Sequence, residues 1–143
     1  MLVDGSVQVD MAHSPTEQRP LRILLAEDSA AVRAFTQTYF KDTPYQLDLA
    51  ENGRIAVEMF QAVRYDLVFM DVEMPVMDGV SATLEIRRWE QEEDLDPVPI
   101  IALTAHEHKA KLVQTLDAGC TAHLIKPLTK EAMLKAIDEH GSR

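Results

Sequence analysis

The chain is poor in cysteine, with Cys120 alone among 143 residues. An intramolecular disulfide is therefore excluded, and so is any Cys-x-x-Cys metal site. Positive charge is also short. Fourteen Lys and Arg against 24 Asp and Glu leave a net charge of −10. A chain this acidic repels nucleic acid and anionic membranes, so neither is expected as a direct partner. Cations and basic protein surfaces remain. No apolar run approaches the roughly 20 residues of a membrane span, so membrane insertion is not expected. The first residues carry Asp4 and lack a basic, apolar signal-peptide pattern. With an unpaired cysteine, these absences point to a cytoplasmic protein. No internal repeat is present.

What remains is ordinary for a globular domain, 46% apolar and 27% charged residues. Segment 1–20 is polar and aperiodic, with Gly5, Ser14, Pro15 and Pro20. It reads as a disordered leader or linker, leaving 21–143 as one folded domain. From there short apolar runs alternate with amphipathic ones. Strands are predicted at Arg22–Ala26, Gln46–Ala50, Leu67–Met70, Pro99–Thr104 and Ala122–Ile125. A first helix spans Ser29–Phe40, with Val32, Phe35, Thr36, Tyr39 and Phe40 at helical spacing. The next helices are marked by Ala56, Met59, Phe60 and Val63, then by Ala82, Ile86 and Trp89, then by Leu112 and Leu116 before Gly119. Thr129 caps a fifth, with Met133, Leu134 and Ile137 inward and Gly141 at its end. The acidic run from Glu90 to Asp94 reads as a solvated helix end and loop. Met70, Met74 and Met77 read as packing residues.

Five β–α units in strict alternation imply a parallel five-stranded sheet covered on both faces. Right-handed crossovers make this a doubly wound α/β fold, and strand order 2-1-3-4-5 is expected. In that order the first and third strands meet at the switch point, where ligands bind at the strands' carboxyl ends. There the sequence places its polar residues. Glu27 and Asp28 close the first strand, Asp71 the third, Thr104 the fourth and Lys126 the fifth.

Carboxylates sharing one crevice repel. At about 4 Å and an effective dielectric near 20, each pair costs roughly 4 kcal/mol before relaxation. A hard divalent cation compensates, and Mg²⁺ with carboxylates and water fits best. His106-Glu107-His108 offers no rival site, because residues two apart do not face each other on a helix. An ionised carboxylate beside Mg²⁺, a hydroxyl and an ammonium suits attack on phosphorus to form an acyl phosphate. Asp71, at the middle of the crevice, is the candidate acceptor. Asp28 would hold the metal directly, Glu27 through water, and Glu73 by its backbone carbonyl. Lys126 would neutralise the phosphoryl oxygens and Thr104 would donate a hydrogen bond to one of them. Ala105 is small enough to leave access.

Glu27-Asp28, the segment Met-Asp71-Val-Glu-Met-Pro-Val-Met-Asp-Gly, Leu-Thr104-Ala and Lys126-Pro127 together resemble the receiver domain of two-component response regulators, the CheY-like family. The resemblance spans about Leu21 to His140. It implies a flavodoxin-like fold, Mg²⁺-dependent phosphorylation of Asp71 by a phosphohistidine donor, and slow self-dephosphorylation, rather than turnover as an enzyme. It also implies a switch. Thr104 moves toward the phosphoryl group, and the residue three before the lysine swings inward. Here that residue is His123, where Tyr or Phe is commoner. The face built by the fourth helix, fifth strand and fifth helix would then bind a partner, with a homodimer through it also compatible. A cis Lys126–Pro127 bond belongs to the same resemblance. The motif wording is most like receivers of hybrid histidine kinases and phosphorelays, which makes a histidine kinase or histidine-phosphotransfer protein the expected partner. Two alternatives stand beside this reading. One is a degenerate receiver serving only as a protein-binding scaffold. The other is a phosphatase of the haloacid-dehalogenase type, whose Asp-x-Asp pattern is broken here by Glu73.

Overall fold

In the computed structural model, residues 19–105 and 109–141 are described. The leader 1–20, but for its last two residues, lies outside them, as does the segment 106–108. The elements are β1 (Arg22–Ala26), α1 (Ala30–Phe40), β2 (Gln46–Ala50), α2 (Gly53–Ala62), β3 (Leu67–Asp71), α3 (Gly79–Glu92), β4 (Ile100–Thr104), α4 (Lys109–Ala118), β5 (Ala122–Ile125) and α5 (Lys130–His140). All strand pairs are parallel, in the order β2-β1-β3-β4-β5. This is the predicted 2-1-3-4-5 arrangement.

Side chains alternate across a strand, so a strand covered on both faces feeds two cores. In β1, Leu24 and Ala26 pack with Ala56, Val57 and Phe60 of α2 and with Ala82 and Ile86 of α3. Ile23 and Leu25 point the other way, to Phe40 of α1 and Met133 and Ile137 of α5. Every residue of β3 and β4 is buried. Edge strands β2 and β5 are only half-buried. Met70, Met74 and Met77 lie in the α2–α3 core, and Trp89 packs edge-on to Phe60 with ring centroids 5.9 Å apart.

The turns at the carboxyl end of the sheet are held by caps. Ser29, Asn52, Asp78 and Thr129 each accept a hydrogen bond from the backbone N–H three residues on. A side-chain cap of this kind is worth about 1 kcal/mol. The loop after β3 is pinned more tightly. The Gly79 N–H donates to the Val72 carbonyl at 2.9 Å, and a Cβ at Gly79 would sit 2.1 Å from the Asp71 carbonyl oxygen. Only glycine allows that approach. Within the loop, the Met77 N–H reaches back to the Pro75 carbonyl at 2.8 Å around Val76, whose φ is 70°. A β-branched residue there is strained.

Three expectations from periodicity are corrected. Phe35, counted with the inward stripe of α1, is 63% exposed, because α1 turns Thr36 and Phe40 to the sheet. Leu116 is 53% exposed, because α4 buries the smaller Thr115 and Ala118 instead. Glu90, read as solvated, is 3% exposed. Its carboxylate accepts from Arg87 Nη1 and from the Val98 N–H, both at 2.8 Å, while Arg87 Nε donates to the Gly119 carbonyl at 3.0 Å. Glu90 thus ties α3 to the connection before β4 and to the end of α4. Gly119 stops α4 with a φ of 111°.

Glu90→Ala would strand the Arg87 guanidinium and the Val98 N–H in a buried setting. We expect a loss of about 2–3 kcal/mol in urea unfolding, several times the effect of Glu92→Ala on the exposed side of the same turn. Equal effects would contradict the clasp.

Candidate functional site

The carboxyl ends of β1, β3, β4 and β5 enclose a cleft of about 540 Å³. Glu27 follows β1 and its N–H donates to the Ala50 carbonyl at 2.9 Å, so the sheet ladder fixes where its side chain leaves. Asp28 comes next and is exposed. Asp71 is the last residue of β3, in register with Leu103 of β4. Thr104 ends β4 and Lys126 follows β5, joined by a 2.7 Å bond from the Lys126 N–H to the Thr104 carbonyl. All these residues line the cleft, with Glu73 and Ala105. The Lys126–Pro127 bond is cis.

At the centre lies one cation between two buried acids. Lys126 Nζ is 2.9 Å from Glu27 Oε1 and 3.1 Å from Asp71 Oδ2. Glu27 Oε2 accepts the Ser29 N–H at 2.9 Å, so the residue that caps α1 also orients the acid. Arg33 Nη1 donates to the Glu27 carbonyl at 2.7 Å and braces the same turn. Asp71 Oδ1 accepts the Glu73 N–H at 3.3 Å.

One ammonium does not balance this group. Glu27, Asp28 and Asp71 each offer a carboxylate oxygen, all within 4.8 Å of one another. Two buried carboxylates at that spacing repel by roughly 3 kcal/mol at an effective dielectric near 20. Burial first, then the Glu27 charge, push the Asp71 carboxyl up to about 6, against the pull of Lys126 and of the Glu73 N–H. Burial alone would lower the pKa of Lys126, but Glu27 and Asp71 outweigh it and hold the ammonium above its ordinary value. Glu27 Oε1 is buried and has no aligned hydrogen-bond donor, for Lys126 lies close but off-axis. An all-oxygen donor set with surplus negative charge fits a hard divalent cation.

The expected residues Glu27, Asp28, Asp71, Glu73, Thr104 and Lys126 therefore share one cleft. His123 does not line it. Its Nε2 lies 2.6 Å from Thr115 Oγ1 on α4. Thr115 Oγ1 also lies 2.9 Å from the Leu112 carbonyl, to which it can donate. With that arrangement the imidazole donates from Nε2, and in the other tautomer the hydroxyl donates to Nε2 instead. The segment His106-Glu107-His108, not expected to bind a metal, lies outside the described residues. Cys120 is buried against Thr83, and burial pushes its thiol pKa up, which suits a packing role. Sequence reading missed Lys111, which lines the cleft from the first turn of α4. Its only signal was its place shortly after Thr104, and the start of that helix carries no legible cap.

Comparison with known proteins agrees with this geometry. Residues 23–138 match the family described as response regulator receiver domain. The sensor protein GacS of Pseudomonas syringae pv. syringae is 34% identical over 96% of this chain. The match covers 15% of GacS, so the chain spans a small part of that relative's length. The receiver domain of sensor histidine kinase PA1611 from Pseudomonas aeruginosa PAO1 is 33% identical, with a TM-score of 0.76 over 85% of this chain and 97% of that one. That structure holds a magnesium ion coordinated in its active site cleft. The receiver domain of Ssk1, co-crystallised with the histidine phosphotransfer protein Ypd1 of Saccharomyces cerevisiae, gives a TM-score of 0.82 at 30% identity, over 86% of this chain and 90% of that one. Among the described residues no helix is long and apolar enough to cross a membrane. Strand order, acidic cleft and sequence match agree: the chain belongs to the response regulator receiver domain family, whose members are signalling switches rather than conventional enzymes.

Proposed function

We propose that this domain switches by accepting a phosphoryl group on Asp71. The carrying observation is a buried carboxylate at the end of a central strand, paired with Lys126 inside a three-carboxylate cleft. The donor is a phosphohistidine on a histidine kinase or a histidine-phosphotransfer protein. An Asp71 oxygen attacks phosphorus, the N–P bond breaks, and its electron pair stays with the imidazole nitrogen. The acyl phosphate ends when water attacks phosphorus and the Asp71 carboxylate leaves, releasing inorganic phosphate. Asp28, Asp71, the Glu73 carbonyl and, through water, Glu27 would hold Mg²⁺, which supplies positive charge against the carboxylates and the phosphoryl oxygens. Lys126 neutralises a phosphoryl oxygen, Thr104 donates to another, and the exposed Ala105 leaves the approach open. A cytoplasmic location goes with this chemistry.

The new charge is read on the face of α4, β5 and α5. Val113, Leu116 and Ile125 are exposed there at 56%, 53% and 41%. These apolar side chains support a protein partner, either a downstream protein or a second copy of the chain. His123 joins β5 to α4 beneath that face, in keeping with a reporting role.

Incubation with acetyl phosphate and Mg²⁺ should add the mass of one phosphoryl group, seen by intact-mass spectrometry. Asp71→Asn should add none, and Asp28→Asn should weaken Mg²⁺ at least tenfold in a titration. A mass gain that survives Asp71→Asn would sink the acceptor assignment.

A second prediction follows from the raised Asp71 pKa. A proton binds this carboxyl more tightly in the folded state than in the unfolded chain. Stability from that proton is complete below about pH 4 and is lost as pH rises through about 6. Asp71→Asn should therefore be more stable than the parent at pH 7.5 without Mg²⁺, by about 1–3 kcal/mol. The gap should close at pH 4 and shrink on adding Mg²⁺. Urea unfolding at both pH values measures it, and an Asn variant no more stable at pH 7.5 contradicts the account.

A further inference from the structure

We propose that Lys111 is the anion-recruiting residue of this cleft, drawing the phosphoryl group of the donor toward Asp71. The inference rests on the phosphoacceptor reading above and adds a specificity-determining residue to it.

Four carboxylates line the cleft, Glu27, Asp28, Asp71 and Glu73, against two ammonium groups. The two lysines differ in what they already do. Lys126, on the inner wall, is held by Glu27 and Asp71 at 2.9 and 3.1 Å. Lys111 stands on the α4 wall, half-exposed, and makes no ion pair among the described residues. Its charge is uncommitted.

The placement is unfavourable for the helix itself. Lys111 is the third residue of α4, whose first turn contains no acidic residue. A cation there opposes the partial positive charge of the helix N-terminus, where an acid would be stabilising. Local helix energetics give no reason for a lysine. A doubly charged anion entering the cleft does, since it meets the Lys111 ammonium there. The need is real, because the chain as a whole carries −10 and repels such a donor before it reaches the site.

A recruiting charge acts on the encounter, not on the capacity of the site. It should raise the second-order rate constant for anionic donors, fade with salt, and matter more for the more highly charged donor. Lys111 sits near the carboxylates as well, so its charge opposes a bound cation. Removing it should leave Mg²⁺ affinity unchanged or tighter.

The test compares the parent domain with Lys111→Gln and Lys111→Arg, using acetyl phosphate and phosphoramidate as probes. We expect Lys111→Gln to slow phosphorylation by acetyl phosphate about three- to tenfold at low ionic strength. The deficit should be smaller with phosphoramidate and should shrink as salt is raised. Lys111→Arg should restore the rate, and the final phosphorylated fraction at saturating donor should be the same for all three. Equal rates for the parent and Lys111→Gln at low salt overturn the proposal. So does a rate loss accompanied by weaker Mg²⁺ binding, which marks structural damage to the cleft. A parent domain that takes no phosphoryl group from either donor fails differently, for it overturns the reading of Asp71 and this proposal with it.

Discussion

The placement of two buried acids around one ammonium governs the rest of this structure. Glu27 and Asp71 stand at the carboxyl ends of the neighbouring parallel strands β1 and β3, and Lys126 closes the gap between them. Three elements from distant parts of the chain must therefore end at the same height. The sheet register sets that height, the helix caps hold the loops that follow, and Gly79 folds the β3–α3 loop back onto the Asp71 backbone. The arrangement is kept short of electrostatic satisfaction. A third carboxylate, Asp28, adds charge that Lys126 cannot cancel, while burial first and then the Glu27 charge raise the Asp71 pKa. That residual imbalance is what the proposed cation and phosphoryl group would meet.

Much of this was legible in the sequence, for physical reasons that differ by element. Strands buried on both faces read as continuous apolar runs, so β1, β3 and β4 were visible within a residue. The site was visible because doubly wound sheets deliver strand ends to one edge, which turns scattered residues such as Glu27, Asp71, Thr104 and Lys126 into neighbours. Thr129 was visible as a cap because a hydroxyl before an apolar stripe has few other uses, whereas Ser29, read as the first residue of its helix, proves to be the cap before it.

What stayed hidden depends on three-dimensional neighbours. Glu90 looks like any acid in the run Glu90-Gln91-Glu92-Glu93-Asp94. Nothing local tells it apart until Arg87 and the Val98 N–H close on it. Phe35 and Leu116 have the right spacing and the wrong exposure, because a helix on a sheet buries only the stripe its neighbours cover. Lys111 enters the cleft through the docking angle of α4, which no periodicity encodes. Partnering of His123 with Thr115 joins residues whose adjacency depends on α4 lying along β5.

The Thr115 hydroxyl lies within hydrogen-bond reach of both the Leu112 carbonyl and His123 Nε2. Position 123 is thereby asked for a polar partner, not merely for bulk. The two sites form a chemical sentence with a fixed grammar. Changing one word alone strands a buried oxygen or nitrogen, at a cost of about 1–3 kcal/mol. Changing both together, to an aromatic over an aliphatic, leaves nothing polar to satisfy. Substitutions at 115 and 123 should thus travel in pairs, and the identity of residue 123 on β5 is written partly on the neighbouring helix.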